Sequence, residues 1–399
     1  MNTQGTRVHL RLWHKEFWLM SIANLLLSMS VTMLIPTLPI WLSESAQLNH
    51  QQVGLVMWSF VLGLFLPGAF CSFLVQHYRR NMVFMVSVLT LAISMTLPLF
   101  RLTAFHLFPM ILVWRILQGA AFGLAQMVLC STLIIDTCES HQRTEANHSA
   151  SWFGRFALSI GPMTALLLMQ LSGIICSASI PFSSMATLNV FFMALVFCLA
   201  SIMLVLCIHF PFRVPEDRIH LISLDRFFLA SGWPLFLNLI LVTTAIGLLM
   251  SLPVTIEAYG MVMVGFLLAL IAQRFVFQDA DLKSEVVSGL VLICASLVVL
   301  LASRYSPLTT PILGLGVGLV GSRFLLFFIK LSRHCQRGTS QSTFMLGWES
   351  GLAIGLGLGF YGFSGQATEL LFTAFVLIVL ALLLYLSWTH KWFLNHKNR

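Results

Sequence analysis

From Thr187 to Phe210 the chain runs for 24 residues without an Asp, Glu, Lys or Arg. A helix rises 1.5 Å per residue, so about 20 such residues cross the roughly 30 Å hydrocarbon core of a bilayer. Comparable apolar stretches recur along the 399 residues, at approximately 17–42, 53–75, 82–101, 106–133, 149–173, 187–210, 227–254, 257–277, 286–303, 307–330, 341–363 and 368–389. Only 9% of the residues are charged, against about 25% in an ordinary soluble domain. A soluble fold could neither hide that much apolar surface nor keep so few charges outside. The expected fold class is therefore an all-α integral membrane protein with twelve transmembrane helices.

Twelve spans place both termini on one side of the bilayer, and the basic residues test that arrangement. With the termini cytoplasmic, 17 of the 22 Lys and Arg residues fall in cytoplasmic segments, among them Arg7, Arg79, Arg143, Lys283 and Lys391. Only Arg101 and Arg304 fall in the opposite loops, and Arg115, Arg155 and Arg323 lie within spans. Lys and Arg are enriched in cytoplasmic loops, so the asymmetry supports both the count and the orientation. The run that follows Arg7, Arg11 and Lys15 is too long for a signal peptide and reads as a retained first span. The longest interior connection, PFRVPEDRIHLISLDR at 211–226, carries two prolines and mixed charge. It is expected to be a cytoplasmic linker between two six-helix bundles, 1–210 and 227–399. Duplicated bundles of this kind characterise secondary transporters.

The net charge of +8 resides in loops and tails, where it orients spans rather than gripping nucleic acid. None of the eight cysteines forms a CxxC pair, and most sit inside apolar runs as small hydrophobes, so no disulfide framework, metal site or cofactor is expected. The twelve histidines favour loops and helix ends, and the spans hold no HExxH, paired carboxylates or Ser/His/Asp set. An enzyme is therefore not expected. No filter-like sequence points to a channel. A receptor or scaffold on a transporter fold is the remaining rival, since fold does not fix function.

An ionisable side chain at the centre of a span costs at least about 2.5–3.5 kcal/mol, so it persists only beside water or a partner. Arg115, Arg155, Arg323 and Glu349 stand well inside spans. Arg115 and Gln126, 11 residues apart, share a helix face, with Gln118 about 60° away. Ser151, Arg155, Ser159 and Pro162 share another. Asn24 on span one and Asn238 on span seven complete the candidate cavity set of Asn24, Arg115, Gln118, Gln126, Arg155 and Asn238, with interhelical bonding as the competing reading of the amides. Arg323 lies eight residues before the inner end of its span and Glu349 eight after the inner start of the next, so the two are expected at equal depth as an ion pair that could couple to protons. Three arginines against one glutamate leave +2, which favours a polar or anionic solute over a large cation. Asp136 is placed to pair with Arg79 or Arg80 as a gate. Gly351, Gly355 and Gly359 form a small-residue stripe that lets helices approach closely.

Several motifs resemble those of one family. SVTMLIPTLPIWL, with Pro36, Pro39 and Trp41, looks like the proline-rich end of helix one in the major facilitator superfamily, especially its drug-exporter-like branch. GLVMWSFVLGLFLPGAF is similar to that family's glycine-rich second helix, and WRILQGAAFGLA, with Arg115, Gln118 and Gly119, to its fourth. SIGPMTALL carries Gly161 and Pro162 of the Gly-Pro motif but only Ala165 beyond it. The loop after helix two, CSFLVQHYRRN, departs from the family's GxxxDRxGRR: Val75 and Tyr78 replace its Asp and Gly, and only Arg79 and Arg80 match. The resemblance implies a monomeric secondary transporter working by alternating access on a small molecule, the short loops point to a bacterial inner membrane, and the Arg323–Glu349 pair makes protons a candidate second cargo. A multidrug-type pump for amphipathic compounds is the alternative it allows.

Overall fold

The computed structural model describes residues 12–100, 108–139, 141–175, 182–208, 210, 220–277, 280–303, 308–333 and 336–398. Its helices are α1 (Lys15–Thr32), α2 (Leu34–Glu44), α3 (His50–Phe65), α4 (Gly68–His77), α5 (Arg80–Thr96), α6 (Phe108–Val128), α7 (Ile134–Asp136), α8 (Arg143–Ile175), α9 (Phe182–Leu206), α10 (Trp233–Met250), α11 (Ile256–Phe275), α12 (Leu282–Ser303), α13 (Thr309–Leu331), α14 (Arg337–Gly362), α15 (Ala367–Leu384) and α16 (His390–His396). Arg101, Arg304 and the linker portion 211–219 lie outside the described residues.

Proline sets the breaks in the first two spans. Pro36 has no N–H to donate back to Thr32, and the helix divides at Met33 into α1 and α2. Pro67 interrupts the second span in the same way, and α3 and α4 meet at 44°. A five-residue π-turn, Leu129–Leu133, joins α6 to α7. Each of the twelve apolar stretches falls on a helix. Ten of the resulting columns are long and apolar enough to cross a bilayer, and the bent α3–α4 pair makes eleven. The expected count of twelve therefore rests on α14, which has 26 residues but whose Gly, Ser and Glu349 dilute its apolarity.

The helices pair in a pattern that occurs twice. In the first half α1 packs on α8 and α9, α3 on α6, and α5 on α6 and α9. In the second α10 packs on α14 and α15, α11 on α13, and α12 on α13 and α15. The correspondence runs in chain order, α1 to α10 through α9 to α15. The two most extensive contacts between the halves are α3 with α14 and α8 with α11, with smaller ones between α8 and α13 and between α14 and both α6 and the π-turn. The correspondence converts each of the two most extensive into the other, as expected of a duplicated bundle with a pseudo-two-fold axis. Large apolar side chains such as Leu62, Val86, Val113, Phe192, Met203 and Phe372 stand exposed on the outer helix faces. In water such a surface would aggregate; in lipid it is the solvated face.

The glycine stripe of α14 serves packing within one half. Cβ atoms on Gly351, Gly355 and Gly359 would overlap Thr243, Thr244 and Ser251 at the α10 face. Contact between the halves at the far end instead uses Gly357, where a Cβ would lie 2.8 Å from the Trp58 Cβ on α3. At the opposite, basic end, a Cβ on Gly338 would lie 2.5 Å from the Ser131 carbonyl of the π-turn.

Candidate functional site

α8 carries Asn147, Ser151, Arg155 and Ser159 at four-residue spacing, with Trp152 three residues before Arg155, so that they line one face. That face meets α11, α13 and α14 of the second half. Ser159 Oγ donates to the Tyr259 carbonyl at 2.6 Å. Arg155 is 2% exposed and has an aromatic surround. Its guanidinium carbon lies 4.6 Å from the Trp152 ring centre and 5.8 Å from that of Phe344 on α14. A Cβ on Gly321 of α13 would be 3.2 Å from Arg155 Nε and 2.9 Å from the Trp348 ring. Glycine there is what admits the guanidinium between the halves.

Arg155 Nη2 donates to Ser151 Oγ at 2.8 Å, but Nε and Nη1 are buried without a protein acceptor. Trp152 Nε1, both amide atoms of Asn147 and of Gln341, and the Ser342 and Ser350 hydroxyls are buried and unpartnered as well. Folded proteins leave few such atoms, because each costs roughly 1–3 kcal/mol. These atoms lie on α8 and α14, the two helices whose Trp152 and Phe344 flank Arg155, and a polar guest there would find donors waiting. Glu349, half-buried on α14, makes no hydrogen bond or ion pair among the described residues.

The ion pair expected between Arg323 and Glu349 does not form. Arg323 Nε instead binds Glu285 Oε2, and Gln273 of α11 bonds both Glu285 and Ser322. The reason is register. The sequence places the ninth span at 286–303, one residue past Glu285, whereas α12 begins at Leu282 and Glu285 is fully buried on it. Equal depth put Arg323 and Glu349 at the same level, but depth does not fix azimuth, and the face of Arg323 turns to α12.

The remaining expected cavity residues mostly hold helices together. Asn24 Nδ2 donates to the Ala150 carbonyl at 3.0 Å and ties α1 to α8. Gln126 Nε2 donates to Ser28 Oγ at 2.8 Å, joining α6 to α1. Asn238 Nδ2 donates to the Ala381 carbonyl at 3.0 Å, joining α10 to α15. Arg115 donates to Gln118 Oε1 at 2.8 Å and stacks 4.4 Å above the Phe60 ring of α3, with its Nε left over. Gln118 Nε2 reaches Met95 Sδ on α5 at 3.5 Å. These contacts stay inside one half, unlike those of Arg155.

At the basic end Arg80 binds Asp136, as the gate reading anticipates for this pair. Arg226 of the linker joins this cluster. Burial, and secondarily the nearby Arg80, holds the Arg226 guanidinium below its usual range, while Asp225 and Asp136 act the other way. Its backbone adopts φ 59°, and its N–H donates to Thr339 Oγ1 at 3.0 Å at the start of α14. Ser223 N–H donates to the Ala69 carbonyl at 3.0 Å, and a Cβ on Gly68 would overlap the Phe227 ring. The described part of the linker thus touches both halves where they close.

A family model described as Major Facilitator Superfamily matches residues 20–356. The chain belongs to the Major Facilitator Superfamily. Solved members share its architecture over nearly their whole length. The xylose transporter XylE from E. coli in an inward-open conformation is 13% identical with a TM-score of 0.68, covering 94% of this chain and 95% of that one. The E. coli fucose:proton symporter FucP is 12% identical with a TM-score of 0.66, covering 98% and 100%. The human organic anion transporter MFSD10 is 15% identical with a TM-score of 0.63, covering 93% and 99%. Identities this low establish the fold and nothing finer. A comparison with curated protein sequences finds no match. Membership makes this superfamily chain a multi-pass membrane transporter rather than an enzyme. Sequence reasoning found Arg155 but missed Trp152, Gln341, Ser342 and Ser350. The signal was present in QSTFMLGWES, unusually polar for the first half of a span, where Ser342 and Glu349 stand seven residues apart on one face.

Proposed function

We propose that this protein is a secondary transporter for a small polar or anionic organic solute, moved by alternating access past Arg155. The observation that carries the reading is the Arg155 guanidinium, buried at the contact of the two halves with two nitrogens lacking a protein acceptor. A cation enclosed in low dielectric recruits an anion, and its planar face already rests on Trp152 and Phe344. With Arg323 neutralised by Glu285, the intramembrane charges reduce to Arg115 and Arg155 against Glu349. The balance stays positive, by one charge instead of two. Glu349, a carboxylate in the same interface with no cation bound to it, is the group for proton coupling; intramembrane carboxylates serve in proton relays.

Arg80, Asp136 and Arg226 form the gate at the basic end, which by the positive-inside rule is cytoplasmic together with both termini. The host membrane is a bacterial inner membrane and the working unit a monomer. The test is uptake into proteoliposomes of a panel of radiolabelled organic anions beside cationic dyes, with and without a pH gradient. Anion flux that saturates and disappears in Arg155→Ala is the expected result. Dye flux as strong as any anion flux sinks the substrate reading, and no flux of any compound favours a scaffold.

A further inference from the structure

A cavity opens at the end of the molecule opposite Arg80 and reaches inward to Leu158 and Phe266, whose ring packs on Trp152 beside Arg155. It holds about 600 Å³, within the range of drug-sized ligand sites. Its walls come from α10, α11, α12, α13 and α15 of the second half, through Leu249, Met261, Phe266, Leu301, Leu313 and Leu371. The first half contributes only Leu158, and α14, which bears Gln341 and Glu349, contributes nothing. Along one wall α11 and α13 approach closely: Cβ atoms on Gly265 and Gly314 would overlap the Pro311 and Val262 carbonyls. The wall toward the first half is held by the Ser159–Tyr259 hydrogen bond. The chamber is therefore built mostly by one bundle, with Leu158 and the Ser159–Tyr259 bond on its border with the other.

Its polarity is one-sided. Deep positions are aliphatic or aromatic, whereas Thr255, Glu257, Thr309 and Thr310 line it near the ends of α11 and α13. Thr255 and Glu257 are exposed. Glu257 is the sole charged residue among the described residues that line it. We infer that this cavity binds an amphipathic amine, with its apolar body in the chamber and its ammonium group at the Glu257 carboxylate. Such a guest suits both ends: apolar burial supplies most of the affinity, and the carboxylate with its threonines selects the sign of the head group. Seated among five helices of one half and against Leu158 of the other, it would also stiffen the α8–α11 contact and slow transport past Arg155.

The test uses the full chain in nanodiscs and two alkyl photoprobes of equal length, each with a diazirine in the chain, one ending in a primary ammonium and one in a carboxylate. Labelled residues are mapped by mass spectrometry. The ammonium probe should label Met261 or Leu313 saturably and the carboxylate probe should label them several-fold less. Glu257→Gln, at an exposed position, should lower ammonium labelling about fivefold, the scale of an exposed charge contact. Val262→Trp, which fills the chamber, should abolish it while the labelling of outer lipid-facing residues persists. Equal labelling by both probes, or labelling unchanged in Glu257→Gln, overturns the inference. Because the readout is labelling, it stands or falls independently of whether the protein carries anions.

Discussion

Arg323 on α13 is bound to Glu285 on α12, and this pair joins the same two spans as Arg80 and Asp136 join in the other half, deeper from the helix ends and with the charges exchanged. α12 and α13 correspond to α5 and α6–α7 by the helix pairing, so each half fastens its third span to its fourth with one ion pair. The two differ in setting. Glu285 is fully buried and Asp136 is 28% exposed at its side chain.

That difference predicts unequal consequences of breaking them. Glu285→Ala strands a guanidinium that is 17% exposed, and removing one partner of a buried pair costs about 3–5 kcal/mol. Asp136→Ala, near the surface, should cost about 1 kcal/mol or less. Thermal unfolding of the purified variants should show a large drop for the first and little for the second. Restoration of most of the loss in Glu285→Leu/Arg323→Met would identify the loss as that of an uncompensated charge.

Much of this fold was legible because lipid imposes one rule on every span. Apolar length located the ten or eleven columns that are long and apolar enough to cross a bilayer among the described residues, whereas the breaks at Met33 and Pro67 were not anticipated. What could not be read was azimuth. Asn24, Gln126 and Asn238 have the same composition signal as a cavity residue, yet each turns its amide to a neighbouring helix carbonyl or hydroxyl. Glu285 was lost for a smaller reason: a window that starts at the first apolar residue excludes a charge buried in the first turn. Arg155 was found because an unpaired charge is rare enough to mean something wherever it points.

Glu349 on α14 and Glu285 on α12 lie in the same half, and of the two only Glu285 has an ion-pair partner among the described residues. Glu285 is held by Arg323 and Gln273. Glu349→Gln should therefore leave the protein folded and able to exchange solute, while removing any acceleration of flux by a pH gradient. Counterflow compared with gradient-driven uptake separates these two effects. Gradient-driven uptake that survives in Glu349→Gln would assign coupling elsewhere.

At Arg155 charge and shape make separable contributions. Arg155→Ala should reduce anion affinity by about 10- to 100-fold, the range of a hydrogen bond to a charged group. Arg155→Lys keeps the charge but loses the planar face, and should recover only part of that affinity. Trp152→Leu should weaken binding by about threefold to thirtyfold through loss of the cation–π contact. Equilibrium binding of the best anion from the transport panel measures all three. Equal affinity for Arg155→Lys and wild type would mean that Trp152 and Phe344 merely pack.

The closed basic end depends on how near α14 comes to the π-turn of the first half. With only 2.5 Å between a Cβ on Gly338 and the Ser131 carbonyl, any side chain there must push the two apart, since real Cβ contacts do not reach that distance. Beside that seam, the N–H groups of the linker residue Arg226 and of Leu229 donate to Thr339 and Thr343 on α14. Gly338→Val should therefore shift the population toward an open basic end, and Thr339→Val, which loses one linker contact, should shift it less. Distances between spin labels on α4 and α13 report the opening directly. A population shift of tenfold requires only about 1.4 kcal/mol of differential strain, so even a single methyl-bearing side chain suffices. If Gly338→Val leaves the label distances unchanged, the seam yields elsewhere and Gly338 does not set the gate.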